Sequence, residues 1–257
     1  MVRVIEQLAL QAARARIQLQ LALCVLTAVA FLGCSEDSKP PNVVLVIADT
    51  MRADKMGCYD NDRGLTPYLD ALASEGVVFE NASSHAPWTL PSTASLLTSL
   101  HPRQHGAGGR APRFTGLDKR VQSLAEVLRD RGYATHAVVN VLFLDKGFGL
   151  ARGFDAVDVE HYQSNVEVRT AERTTDAALK WLAGELQEPF FLLVHYFDPH
   201  AVYSPPQPFR KKFAAPPDQI DDSFAFGTRQ FMTQLRYGDA KLHPQLVKRA
   251  ERLYEAE

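Results

Sequence analysis

The chain is poor in cysteine. Its 257 residues include three, Cys24, Cys34 and Cys58, whose spacing gives neither a disulfide framework nor a zinc site. It also lacks a charge imbalance. The 28 basic and 30 acidic residues leave a formal net charge of −2, which argues against nucleic acid as a bulk electrostatic partner. No apolar run is long enough to cross a bilayer. The longest runs from Leu21 to Leu32 and is interrupted by Thr27; at about twelve residues it has the length of a signal-peptide core, where a spanning helix needs about twenty. There is no internal repeat and no low-complexity tract. With 46% apolar and 23% charged residues, what remains is an ordinary globular chain, long enough for one substantial core.

The N-terminus reads as a targeting segment. Arg3, Arg14 and Arg16 precede the apolar run, which ends Phe31-Leu32-Gly33-Cys34, a sequence that resembles a bacterial lipobox. The expected organisation is a signal peptide over residues 1–33, a lipid-anchored polar tether over 34–41 and one domain over 42–257. The expected place is the bacterial cell envelope, as a lipoprotein of the outer membrane facing the periplasm. An uncleaved anchor or an ordinary signal peptide is the alternative. One acyl chain holds a membrane only marginally, so stable anchoring takes several. Labelled fatty acid should enter the wild-type protein and not Cys34→Ala, and equal incorporation in both would sink the lipoprotein reading. Cys58, after Gly57, reads as a small buried apolar residue.

Periodicity and punctuation give an α/β class. Val43–Ile47 is a continuous aliphatic run that suits a strand covered on both faces. Thr66-Pro67 marks a helix start, closed by Gly76, and Val77–Phe79 reads as a short strand. A helix is expected from about Pro91 to Leu100, an amphipathic one over Val121–Arg131 and a long one over Glu167–Leu186. Strands are expected at Ala134–Val139 and Phe190–Tyr196. Strands alternating with helices of this length indicate βαβ units around a mostly parallel sheet, with helices on both faces.

The chemistry-bearing residues fall at the C-terminal ends of those strands, where open α/β sheets bind ligands. Asp49 ends the first strand, Asn140 follows the second, and His195 and the Asp198–His200 loop lie at the end of the third. A carboxylate there is placed to hold a hard divalent cation. Thr89 opens a helix, where the field favours an alkoxide and an incoming anion. Together these are the parts of a metal-assisted nucleophile for sulfate or phosphate esters.

The order Asp49, Arg52-Ala53-Asp54, Gly57-Cys58-Tyr59, Thr66-Pro67, then Pro87-Trp88-Thr89-Leu90-Pro91-Ser92 resembles the N-terminal half of a sulfatase, of the alkaline phosphatase superfamily. The likeness resumes at His195-Tyr196-Phe197-Asp198-Pro199-His200 and Tyr203-Ser204-Pro205-Pro206, so it covers residues 41 to 257. It implies an alkaline-phosphatase-type fold and a divalent ion (Ca²⁺, Mg²⁺, Mn²⁺ or Zn²⁺) held by Asp49 and Thr89. It further implies His200 as a catalytic contact to the ester, and His195, Asn140 and His105 as substrate contacts. The implied substrate is a small-molecule or glycan sulfate or phosphate ester. Arg52 and Asp54 are expected to brace the loop after the strand, and the Trp88 ring to wall the nucleophile.

The departures from the family shape the mechanism. Sulfatases carry Cys or Ser, then x-Pro-x-Arg, and oxidise the first residue to formylglycine; here Thr89 and Thr93 stand at those positions. A threonine does not give the aldehyde, so the expected route is direct attack by a metal-bound Thr89 oxygen. Thr50 stands where a second Asp is usual, and no Lys-x-His follows the second strand. These losses keep two alternatives open: a non-catalytic sulfatase-fold lipoprotein that binds or supports, and a phosphoethanolamine-type phosphotransferase. From Pro244 the chain becomes an amphipathic helix with Leu246, Val247, Ala250, Leu253 and Tyr254 on one stripe, ending at Glu257. In the family such a helix leads to an Asp-His-Gly strand that completes the metal shell. That motif is absent here, so the chain is expected to be C-terminally truncated and to bind metal weakly.

Overall fold

The computed structural model describes residues 39–160, 169–184, 186–201, 203–213 and 244–257. The expected signal peptide and Cys34 lie outside them. The described strands are β1 (Val43–Ala48), β2 (Gly108–Arg110), β3 (Arg113–Thr115), β4 (Ala134–Val139), β5 (Ala156–Val159) and β6 (Phe190–Tyr196). The described helices are α1 (Pro67–Glu75), α2 (Thr89–Thr98), α3 (Pro102–His105), α4 (Leu124–Asp130), α5 (Ala171–Leu182), α6 (Gln207–Phe213) and α7 (Pro244–Ala256). Strands β1, β6, β4 and β5 form a four-stranded sheet in that order, and every pairing in it is parallel. Strands β2 and β3 make a separate antiparallel hairpin. No described helix is long and apolar enough to cross a membrane.

Alternation along the inner strands builds two cores. Ala137 and Val139 of β4, with Phe191 and Leu193 of β6, pack on Leu90, Ala94 and Leu97 of α2 and Leu128 of α4. The intervening Val138, Leu192 and Val194 face Ala178 and Trp181 of α5. Burial on both faces is why β4 and β6 show no alternation of apolar with exposed polar residues, and their polar Thr135, His136 and His195 are buried as well. Helix α4 begins with a capping box between Ser123 and Glu126. The N-terminus of α5 is capped twice: Thr170 Oγ1 accepts from the Arg173 amide, and Asp198 Oδ2 accepts from the Ala171 amide at 2.8 Å.

The structure revises several expectations. β1 is an outer strand among the described residues: Val43, Leu45 and Ile47 pack inward, while Val44 and Val46 are 52% and 56% exposed. An all-aliphatic run therefore does not mean two covered faces here. Val77–Phe79 forms no strand, and Val77 and Phe79 are exposed. Strand β5 was not anticipated, because four residues with Asp158 in their middle carry little apolar signal. Thr66 stands at the start of α1 without capping it; its hydroxyl accepts from the Gly57 amide at 3.1 Å and contacts Asp70. A Cβ at position 57 would lie 2.3 Å from an Asp70 carboxylate oxygen, so a larger residue there would displace the Asp70 side chain. Cys58 is free and only half-buried.

Candidate active site

Parallel register sets the site. Pairing of β1 with β6 places Ile47 against His195 and Ala48 against Tyr196, and the Asp49 amide extends the ladder to the Tyr196 carbonyl at 3.0 Å. Asp49 and His195 therefore meet where the two strands end. Thr89 reaches the same point from α2. Its Oγ1 donates to Asp49 Oδ2 at 2.9 Å, across forty residues of chain. Thr89 is not the helix N-cap: Trp88, in extended conformation, holds that position and makes no side-chain cap. The threonine is the first helical residue and its hydroxyl is committed to the carboxylate. Pro91 fits the first turn because its missing N–H has no acceptor there. Trp88 leans on Phe143 and Phe114, with ring centroids 5.7 and 5.9 Å away.

His195 is fully buried, and its Nε2 lies 3.5 Å from Asp49 Oδ2. That contact is electrostatic rather than a hydrogen bond, since both ring nitrogens of His195 lack a hydrogen-bond partner. Burial pushes the Asp49 carboxyl up. Interaction with His195, the Thr89 hydrogen bond and the nearby His200 outweigh it, so the group sits below the usual carboxylate range. His200 stacks on Phe197, with centroids 4.4 Å apart, and its Nδ1 donates to the Ala201 carbonyl at 2.6 Å, which leaves Nε2 for other contacts. A cleft of about 610 Å³ opens beside it, lined by Thr50, Arg52, His200, Tyr203, Glu251 and Tyr254.

Helix α7 braces the loop that carries Asp49. Thr50 has φ 58°, a left-handed backbone unusual for a β-branched residue. The Tyr254 hydroxyl holds that loop, donating to the Thr50 carbonyl at 3.1 Å and accepting from the Arg52 amide at 2.8 Å. At the next residue the fully buried Glu255 carboxylate pairs with Lys55 at 2.9 Å and with Arg63. The sequence marked Tyr254 only as part of an apolar stripe, and nothing in it marked Glu255 as a buried partner. Arg52 and Asp54 pair with one another in solvent.

Two residues expected to contact substrate have other work. Asn140 is 1% exposed and its amide is saturated: Nδ2 donates to the His195 carbonyl at 2.7 Å and to Thr174 at 2.8 Å, and Oδ1 accepts from Arg169 Nε at 2.7 Å. Arg169 in turn pairs with Asp158 at 2.8 Å and donates to the Val139 carbonyl. Asn140 is thus a strut under His195. No pattern singled out Arg169, the missing half of that strut. His105 is 0% exposed. Its Nδ1 accepts from the Ala107 amide and its Nε2 meets Ser95 Oγ, both at 3.0 Å, so it ties α3 to α2. Thr93, at the family's arginine position, is 4% exposed and faces the interior.

No group of three or more His, Cys, Asp or Glu side chains among the described residues is arranged to hold a metal ion. The donors that do converge suit a divalent cation: Asp49 and Thr89 offer hard oxygens, and the buried His195 ring has unpartnered nitrogens beside them. Such cations take four to eight donors, so these residues supply part of a shell.

A sulfatase family model matches residues 41–243. The chain belongs to the sulfatase family. It is 34% identical over 175 residues to human N-sulphoglucosamine sulphohydrolase, an alignment that covers 66% of this chain and 34% of that protein. The fold of this sulfatase-family chain also matches BT4656, solved in complex with its substrate D-glucosamine-2-N,6-O-disulfate. There the TM-score is 0.61 at 18% identity, covering 85% of this chain and 58% of the other. The C-terminal periplasmic domain of EcEptC from Escherichia coli, in complex with Zn, matches with TM-score 0.58 at 19% identity over 85% and 56% of the two chains. Against the first curated relatives the matched segment spans between 17% and 34% of their length.

Proposed function

We propose that this chain carries the nucleophile half of a sulfatase-family hydrolase of sulfate or phosphate esters. Thr89 is the nucleophile, Asp49 its partner and His200 a contact to the ester. The observation that carries the reading is the 2.9 Å bond from Thr89 Oγ1 to Asp49 Oδ2 at the mouth of α2. With its proton held by Asp49, the Thr89 oxygen keeps its lone pairs for attack on an ester bound beside it. The unpaired amides in the first turn of α2 favour the anionic group being transferred. Attack forms a bond from Thr89 Oγ1 to sulfur or phosphorus and breaks the ester bond to the leaving alcohol, which takes up the proton that Thr89 gave to Asp49, while His200 Nε2 contacts the ester. Water then cleaves the threonyl ester and restores the hydroxyl. A divalent cation held by Asp49 and Thr89, with further donors, would neutralise charge on the ester oxygens.

The family likeness favours the sulfatase branch, and the threonine in place of an oxidisable residue favours phosphoryl transfer, which needs no aldehyde. Aryl sulfate, phosphate monoester and phosphodiester should therefore be assayed with the protein containing this chain, in added Ca²⁺, Mg²⁺, Mn²⁺ or Zn²⁺ and in chelator. We expect metal-dependent release from at least one ester class, lost in chelator. Silence on every ester, with metal bound and the fold intact, would favour the binding-module alternative. The lipoprotein location remains part of the proposal, supported by the Gly33-Cys34 sequence.

A further inference from the structure

Between Asn81 and Leu117 the chain has no Asp and no Glu, while Arg103, Arg110 and Arg113 fall inside that stretch. Arg110 and Arg113 are direct partners in the β2–β3 ladder, joined through Ala111 and Pro112. Cross-strand partners lie on the same face with Cβ atoms about 5 Å apart, and like charges so placed destabilise a hairpin. Both arginines are exposed, and among the described residues neither makes an ion pair. The next acid along the chain, Asp118, is taken by Arg120 at 2.7 Å.

The hairpin makes aromatic contacts on its other face. Phe114 packs on Trp88, Phe143 and Phe148, at 5.9, 5.3 and 6.2 Å. Trp88 directly precedes Thr89, so the arginine pair is displayed on a support continuous with the candidate nucleophile. Two unpaired guanidiniums on one face of a fixed hairpin form a receptor for tetrahedral oxyanions, which a guanidinium fork binds in bidentate fashion.

We propose that Arg110 and Arg113 bind sulfate groups of a sulfated glycan, at a site separate from the Asp49–Thr89 centre. The choice of a sulfated glycan rests on the sulfatase-family reading; the anion site rests on the hairpin itself. The chain's net charge of −2 and the presence of only two paired arginines fit a short sulfated oligosaccharide better than a long nucleic acid backbone.

The test is binding of a heparin-derived oligosaccharide across a salt series, read by anisotropy without turnover. The wild type should bind with a steep salt dependence. Arg110→Ala/Arg113→Ala should weaken binding by at least about tenfold and lower the log–log salt slope by about two. Arg110→Lys/Arg113→Lys, which keeps charge and loses the fork, should fall between. The control Arg131→Ala/Lys180→Ala removes equal charge elsewhere and should stay within about twofold. Thermal melts confirm folding of each variant. Equal loss in the control would overturn the proposal, as would equal binding of desulfated heparin or of single-stranded DNA. Thr89→Ala should keep full binding, so failure of the hydrolase reading and failure of this site are told apart.

Discussion

Thr89→Ala should abolish ester turnover in the protein containing this chain while leaving the fold in place. Removing the hydroxyl nucleophile of a covalent mechanism typically costs about 10⁴-fold or more in kcat. The structural cost is small, because Thr89 is the first residue of α2 and not its cap, and its hydroxyl bonds to Asp49 and to no helix amide. Alanine is also the better helix former. Stability should therefore move by no more than about 1 kcal/mol. Thr89→Ser, which restores the oxygen without the methyl, should recover most of the activity. Turnover by Thr89→Ala equal to wild type would refute the nucleophile assignment, and a variant that is merely unfolded would betray itself in the melt.

Asn140→Ala should destabilise the chain by about 3–5 kcal/mol, the sum of several buried polar groups left without partners at about 1–3 kcal/mol each. The substitution strands Arg169 Nε, the His195 carbonyl and the Thr174 hydroxyl in one closed space. Thr174 retains its bond to the Thr170 carbonyl, so the arginine and the His195 carbonyl carry most of the loss. Equilibrium denaturation of wild type and variant gives the difference directly. A substrate-contacting asparagine would behave in the opposite way, with stability unchanged and ester affinity reduced, and that result would restore the role its position first implied.

Much of the fold was legible because its signals are local. The mainly apolar stretches of β4 and β6 and the amphipathic stretch that holds α4 are each read within a few residues. Asp49 and Thr89 were legible for the same reason. A carboxylate after a strand and a hydroxyl at a helix start are local patterns, and the sulfatase resemblance supplied the reason to pair them.

What escaped was decided by contacts distant in sequence. Asn140 and His195 both fall at the C-terminal ends of strands and look equivalent on the chain. Yet Asn140 is sealed by Arg169, 29 residues on, while the His195 ring is left with unpartnered nitrogens beside Asp49. His105 looks like a site histidine until Ser95 and Ala107 take both its nitrogens. Tyr254 holds Thr50 and Arg52 from about two hundred residues away, and Glu255 reaches back to Lys55. By itself the sequence determined the α/β class, the parallel strands, the family and the Asp49–Thr89 pair, because hydrophobic period, capping and motif spacing act over short range. Only the tertiary structure decided which polar side chains are spent on holding the loops and which, like the His195 ring, are left without a hydrogen-bond partner. Satisfaction of a buried polar group depends on partners that meet only when the chain has folded.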